Sequence, residues 1–365
     1  MKKAKSKKNT ALLLLLAIVS TLVILFYINN KTTLTYSFIT DGKNKLAVTG
    51  EVSAVSQSRS TVYYVEDLLI EVQAENIRAK NIKGDVAWSC KMPEKTVGIS
   101  NAGENIIIID LSNNIHYYSL KGKLLWTYKS DHDIIDIFTE DNGSFLVEYK
   151  GITGSHAEAF RHDGSKIGSI LVDNAHILSF SEGSDAFSIS IVDTSSEFIK
   201  TKIITYSFKG NILWANNFDN TIISKLRYSR NNKLLAIGEN TVYIYNNDGS
   251  LHHEVKIDGE ISSVSMSDRI VAMTLQDKGK QYLVCYDTNM REQSRVEIRP
   301  VPLGIYPQKS NLLVYYNDEL MILTSKGELN ARYEPNTDIS NAYMTSDNKV
   351  YITSNRRLQQ LEYVR

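Results

Sequence analysis

Ile115–Tyr128, IHYYSLKGKLLWTY, reads as a β-strand, a tight glycine turn and the opening of a second strand closed by a tryptophan. Residues 199–214 (IKTKIITYSFKGNILW) repeat the same pattern, as do residues 77–88 (IRAKNIKGDVAW). A unit that recurs in this way cannot bury its apolar face alone and has to stack against its copies.

The turn can be followed along the chain at Gly84, Gly122, Gly164, Gly210, Gly249, Asn289 and Gly327. The successive differences between those positions are 38, 42, 46, 39, 40 and 38 residues, the length of one four-stranded propeller blade. Gly or Asn at each turn supplies the positive φ that a tight hairpin needs. Trp88, Trp126 and Trp214 stand four residues beyond their glycines, where they are expected to pack against the neighbouring unit. Sugar stacking is the competing role for such tryptophans, but their fixed place after the turn favours packing. Upstream, EISSVSMSDRIVAMTL from Glu260 and DISNAYMTSDNKVYIT from Asp338 each give an inner pair of strands around a polar turn.

Seven units end at such turns; an outer strand and three more strands follow Gly327, which leaves a last unit one strand short. The stretch Leu34–Ile39, just after an apolar N-terminal run, is expected to complete it and so to seal an exposed sheet edge. The expectation is an all-β propeller of eight four-stranded blades over residues 31–365, with seven as the alternative if residues 44–89 do not form a full blade.

The N-terminus has a different character. Residues 1–10 (MKKAKSKKNT) precede residues 11–28 (ALLLLLAIVSTLVILFYI), eighteen residues without a charge. As a helix that run covers about 27 Å, enough for a thin bilayer core. Five lysines within the first eight residues are expected to stay in the cytoplasm and to send the rest of the chain outside. A cleaved secretory signal is the alternative, but its apolar region is ordinarily shorter and ends at a small-x-small site, which residues 26–31 (FYINNK) do not offer. The bilayer is therefore one expected partner, through residues 11–28.

Composition narrows the rest. Lys+Arg and Asp+Glu both number 41, a balance that does not suit nucleic-acid binding. Two cysteines, Cys90 and Cys285, exclude a disulfide-stapled scaffold and a zinc-type Cys/His cluster. Both sit among strand-like residues, where a small buried hydrophobe is the expected role and a bridge the alternative.

Repeats of the form strand, Lys/Asp-Gly, two residues, Leu-Trp, clearest at Gly122/Trp126 and Gly210/Trp214, resemble the quinoprotein-type (PQQ-like) β-propeller repeat. Its members include cofactor-dependent alcohol dehydrogenases and non-catalytic envelope scaffolds such as the outer-membrane assembly propeller lipoprotein. Anchor plus propeller is similar to N-terminally anchored membrane propellers of Gram-positive bacteria. The dehydrogenases imply a vicinal cysteine pair over the cofactor, and no adjacent cysteines occur here. No cofactor and no metal are therefore expected.

Asp131-His132-Asp133 with Asp136 is the densest mixed polar cluster and could offer oxygen and imidazole ligands. A solvated loop entering a strand is the simpler reading. His252 and His253 are neighbours on an outer strand, so they point to opposite faces and cannot share a ligand. Residues 140–143 (EDNG) read as a plain hairpin turn, and no nucleophile elbow, P-loop or H-E-x-x-H helix is present. The functional expectation is a non-catalytic scaffold or ligand-binding module at the cell envelope, with another envelope protein or a cell-surface polymer as partner. The alternative is a quinone-cofactor oxidoreductase or a glycan-processing propeller enzyme.

Overall fold

The computed structural model describes residues 44–54, 60–151, 154–195, 197–299, 301–345 and 347–364. Within them the chain folds into four-stranded antiparallel sheets, each laid down in sequence order from an innermost strand a to an outermost strand d. Seven blades are made this way, from residues 61–91, 96–128, 134–173, 175–219, 225–256, 260–298 and 304–333. The eighth takes strands a to c from residues 341–364 and its fourth strand from the other end of the chain. First strands of consecutive blades touch one another at six of the eight junctions around the axis. The fold is a β-propeller.

The core is divided among the seams between blades. Eight apolar clusters occur, one for each junction. Val52, Tyr351 and Leu358 of blade 8 meet Leu69 of blade 1, so the ring closes on itself. Strands b and c carry runs of fully buried residues, as in LLIEVQ (68–73), because a neighbouring blade covers each of their faces. Strands d, such as LLWTY (124–128), alternate exposed and half-buried positions at the circumference.

The closing strand is Asn44–Ser53, which pairs antiparallel with Arg357–Val364 along its length. Its Asn44 and Lys45 also touch Ala331 and Arg332 of blade 7 in parallel register. The sequence had suggested Leu34–Ile39 for this place, and had assigned residues 44–53 to the first unit. Leu46 and Val52 are the buried contacts that hold Asn44–Ser53 in the last blade instead. Leu34–Ile39 and the apolar run 11–28 lie outside the described residues. Among the described residues no helix is long and apolar enough to cross a membrane.

The repeated turns have one geometry. Gly84, Gly122, Gly164, Gly210, Gly249 and Gly327 all have φ between 77° and 87°. In the sixth repeat the left-handed residue is Met290 (φ 58°), one position after the Asn289 that the sequence favoured. The Met290 N–H bonds the Asp287 carbonyl at 2.9 Å, as the Gly122 N–H bonds that of Ser119 at 2.9 Å. Register, not residue preference, decides which position takes the strain.

Each tryptophan sits under the turn of the next blade. A Cβ built on Gly122 would lie 2.4 Å from the Trp88 ring, and one on Gly249 would lie 2.5 Å from Trp214. Trp88 Nε1 donates to the Leu120 carbonyl at 2.8 Å and Trp214 Nε1 to that of Asn247 at 3.0 Å. Trp126 packs beneath Gly164 and stacks on Tyr117 at 4.9 Å and Phe160 at 6.1 Å. Cys90 and Cys285 are free and belong to the cores of different seams.

Candidate functional site

Because the innermost strands all run in one direction along the axis, their a–b turns gather at a single face. These turns surround a cavity of about 1160 Å³ to which every blade contributes. The wall is acidic. Glu66 and Asp67 come from blade 1, Glu104 from blade 2 and Asp347 from blade 8. Across from them stand Glu140 and Asp141 of blade 3, Glu182 of blade 4 and Asp268 of blade 6. Among the described residues only Lys121, Arg227 and Lys349 add positive charge to the lining.

Arg227, on the inner strand of blade 5, reaches past blade 4 and places its guanidinium on the carboxylates of Glu140 and Asp141. Asn142 in the same turn donates to Glu182 at 2.9 Å, and the Ser184 N–H bonds the Asn232 side chain at 2.9 Å. Blades 3, 4 and 5 are thereby fastened together at the mouth. On the opposite side the Tyr343 hydroxyl donates to the Glu66 carbonyl at 2.5 Å, joining blade 8 to blade 1. Glu66 itself holds a left-handed backbone at φ 50°.

Burial and like charge shape the titration of this wall. The Glu140 carboxyl is pushed up to about 7 by burial, with Arg227 and the Ser181 hydroxyl pulling the other way. Arg227 is held above its ordinary value because Glu140 and Asp141 outweigh its own burial. Burial raises the Glu66 carboxyl; Asp67, Asp347 and Glu104 push the same way, against a hydrogen bond from Asn101. The Tyr306 hydroxyl, on a ring that is 38% exposed, is pushed up to about 12 by its surroundings and by Asp141 and Glu66. The cavity thus holds more carboxylates than it neutralises. It offers one demonstrated guanidinium seat, already filled by the chain's own Arg227.

The residues singled out from sequence fall elsewhere. Asp131, His132 and Asp133 lie where blade 3's inner strand starts, at the face away from the cavity. There the His132 ring meets His156 edge-on at 4.5 Å, and Asp133 accepts from Asn113 at 3.0 Å. Among the described residues no three His, Cys, Asp or Glu side chains converge as a metal site requires. His252 and His253 are exposed on the outer strand of blade 5, with His252 Nε2 2.7 Å from Lys233 Nζ. The repeat glycines and tryptophans occupy turns and seams. A quinone cofactor under a vicinal cysteine pair does not fit this chain, since half-buried Cys90 and buried Cys285 pack in different seams, on blades 1 and 6.

Nothing local in the sequence points to Glu66 or Arg227, and Glu140, read there as part of a plain hairpin turn, is a wall residue of the cavity. Each a–b turn taken alone is an ordinary polar hairpin. The available signal was that so many of them (Glu66-Asp67, Glu104, Glu140-Asp141, Asp268, Asp347) are acidic at the same point of the repeat.

Solved structures share this architecture at low identity. Sqt1 of Saccharomyces cerevisiae matches with a TM-score of 0.56 and 12% identity, covering 91% of this chain and 98% of its own. The C-terminal WD40 domain of Sif2 matches at 0.57 and 12%, covering 92% and 99%. BamB from Moraxella catarrhalis matches at 0.53 and 11%, covering 87% and 99%. No curated protein matches the sequence. The class is therefore a β-propeller, and at such identities the likeness carries the fold alone. The chain belongs to the family of unknown function DUF5711, which matches residues 40–362.

Proposed function

We propose that this protein is a non-catalytic binding propeller, tethered to the cell membrane by residues 11–28 and displayed outside the cytoplasm. There it takes a basic, extended segment of another envelope protein into its acidic cavity. The observation that carries the reading is the cavity wall. All eight blades supply it, eight carboxylates face three cations, and a guanidinium already sits on two of the carboxylates. Glu66, Asp67 and Glu104 form no ion pair among the described residues, so a visiting cation meets charge that is not yet matched. Potential focused in a concave, partly desolvated site favours encounter and fixes which partner is accepted. The uncharged run and the lysines before it support the tether.

The test is titration of the detergent-solubilised full chain with nona-arginine, set against nona-glutamate. Binding by the first alone, weakened about tenfold by Asp67→Asn with Glu104→Gln, corresponds to about 1.4 kcal/mol of lost attraction. It should also weaken as salt is raised. Equal affinity of the variant, or no binding, removes the cavity as the site.

A further inference from the structure

The d strands carry apolar residues at the circumference of the cavity face, and those of three consecutive blades adjoin the point where the chain enters the ring. Blade 8 contributes Val48 from its d strand, exposed at 40%, and Tyr363 and Val364 from the end of the adjoining c strand, exposed at 45% and 46%. Blade 1 adds Val86 at 54%, and blade 2 adds Leu124 and Leu125 at 46% and 43%. Lysines are interleaved with them: Lys45 pairs in register with Val364, Lys83 precedes Gly84, and Lys121 and Lys123 flank Gly122. All four lysines are exposed. The acidic residues in the same stretch are Asp85, bonded to Asn81 within its own turn at 3.4 Å, Glu362, which accepts from Gln360 at 2.6 Å, and Glu51 farther along the closing strand, which accepts from Arg357 at 3.4 Å and from Gln359 at 2.5 Å.

The edge is continuous. A Cβ on Gly50 would come within 2.8 Å of Ile82, so the closing strand abuts the turn of blade 1. Trp88 then joins blade 1 to the Leu120–Gly122 turn of blade 2.

We propose that this edge, made by blades 8, 1 and 2, rests on an anionic bilayer surface. Short apolar side chains framed by lysines suit the headgroup boundary, where apolar groups are buried and ammonium groups meet anionic lipid. The place of chain entry selects this edge. Residues 29–43 separate the apolar run from Asn44, a span of at most about 50 Å when extended. The proposal rests on the tether reading, which keeps this edge near lipid at high effective concentration. Blade 4, across the ring, carries the same chemistry in Lys209, Ile212 and Leu213 but lies far from the entering chain. It serves as the internal control. Lying on this edge would keep the acidic cavity open from the side rather than pressed against like-charged lipid.

The experiment places an environment-sensitive fluorophore on Leu124→Cys or Leu213→Cys in the full chain, reconstituted in nanodiscs with and without phosphatidylserine. The native thiols are raised by burial and are followed in an unsubstituted, labelled control. The expected result is a blue shift with rising intensity at position 124 in anionic discs, a smaller one in zwitterionic discs, and none at position 213. No shift at 124 overturns the edge. Equal shifts at 124 and 213 overturn it in favour of the whole face, and equal shifts in both lipids overturn the role of the lysines. If the chain does not enter discs, the tether reading fails. The edge is then tested by adding phosphatidylserine vesicles to the labelled chain, where an unmoved signal overturns it and a shift at 124 alone upholds it.

Discussion

Alanine at Gly122 and alanine at Gly84 alter the same turn position in adjacent blades, yet the two variants should not cost the same. Both glycines have positive φ, 77° and 87°, so each alanine takes on about 1–2 kcal/mol of left-handed strain. At Gly84 the added methyl meets nothing within 4 Å. At Gly122 it would lie 2.4 Å from Trp88 Cγ and 2.8 Å from Trp88 Cβ, so the indole has to leave its seat. Overpacking of that kind costs about 1–3 kcal/mol more, and displacing the ring also endangers the 2.8 Å bond from Trp88 Nε1 to Leu120. Urea denaturation should therefore rank Gly122→Ala below Gly84→Ala by about 2 kcal/mol or more. Trp88→Ala alone should cost about 3–5 kcal/mol as a large-to-small core change. Adding Gly122→Ala to it should then cost no more than Gly84→Ala does, because the clash is gone. Equal losses for the two glycine variants, or additive losses in the double variant, would refute the idea that each turn is a lid on its neighbour's tryptophan.

The buried Glu140 supplies a pH signature. Its folded carboxyl titrates at about 7 against an ordinary 4.5, so the folded state holds the proton more tightly than the unfolded chain. That contribution is fully present below pH 4.5 and is lost as pH rises through 7, by about 3 kcal/mol. The melting temperature should fall across this window, and Glu140→Gln should remove most of the slope. Cys285, fully buried with its thiol pushed up to about 12, should resist a thiol reagent at pH 8 until the chain is unfolded. Cys90, half-buried and also raised, should react slowly under the same conditions.

The seams were legible in the sequence because the hairpin glycine and the tryptophan four residues later are local signals, and their spacing fixes the stacking period. The closing strand was harder. LTYSFI is the more strand-like segment by composition, whereas NKLAVTGEVS exposes half its residues and holds its place through partners some three hundred residues away. Met290 shows the same limit on a smaller scale, since intrinsic preference pointed to Asn289 and the register of Asp287–Arg291 chose otherwise. The cavity was least legible. Its Arg227–Glu140 contact joins residues 87 positions apart across an intervening blade, and it has meaning only once eight separate turns share one axis.

Hydrogen exchange on the full chain tests the ring most directly. Residues 44–53 pair with residues 357–364, and the account predicts that the amides bonded across that pairing are protected against exchange, and that Val52→Asp lowers protection in residues 44–53, 350–354 and 357–364 together. Free exchange over residues 44–53 in the intact protein, with residues 350–364 still protected, would contradict a propeller sealed by its first described strand.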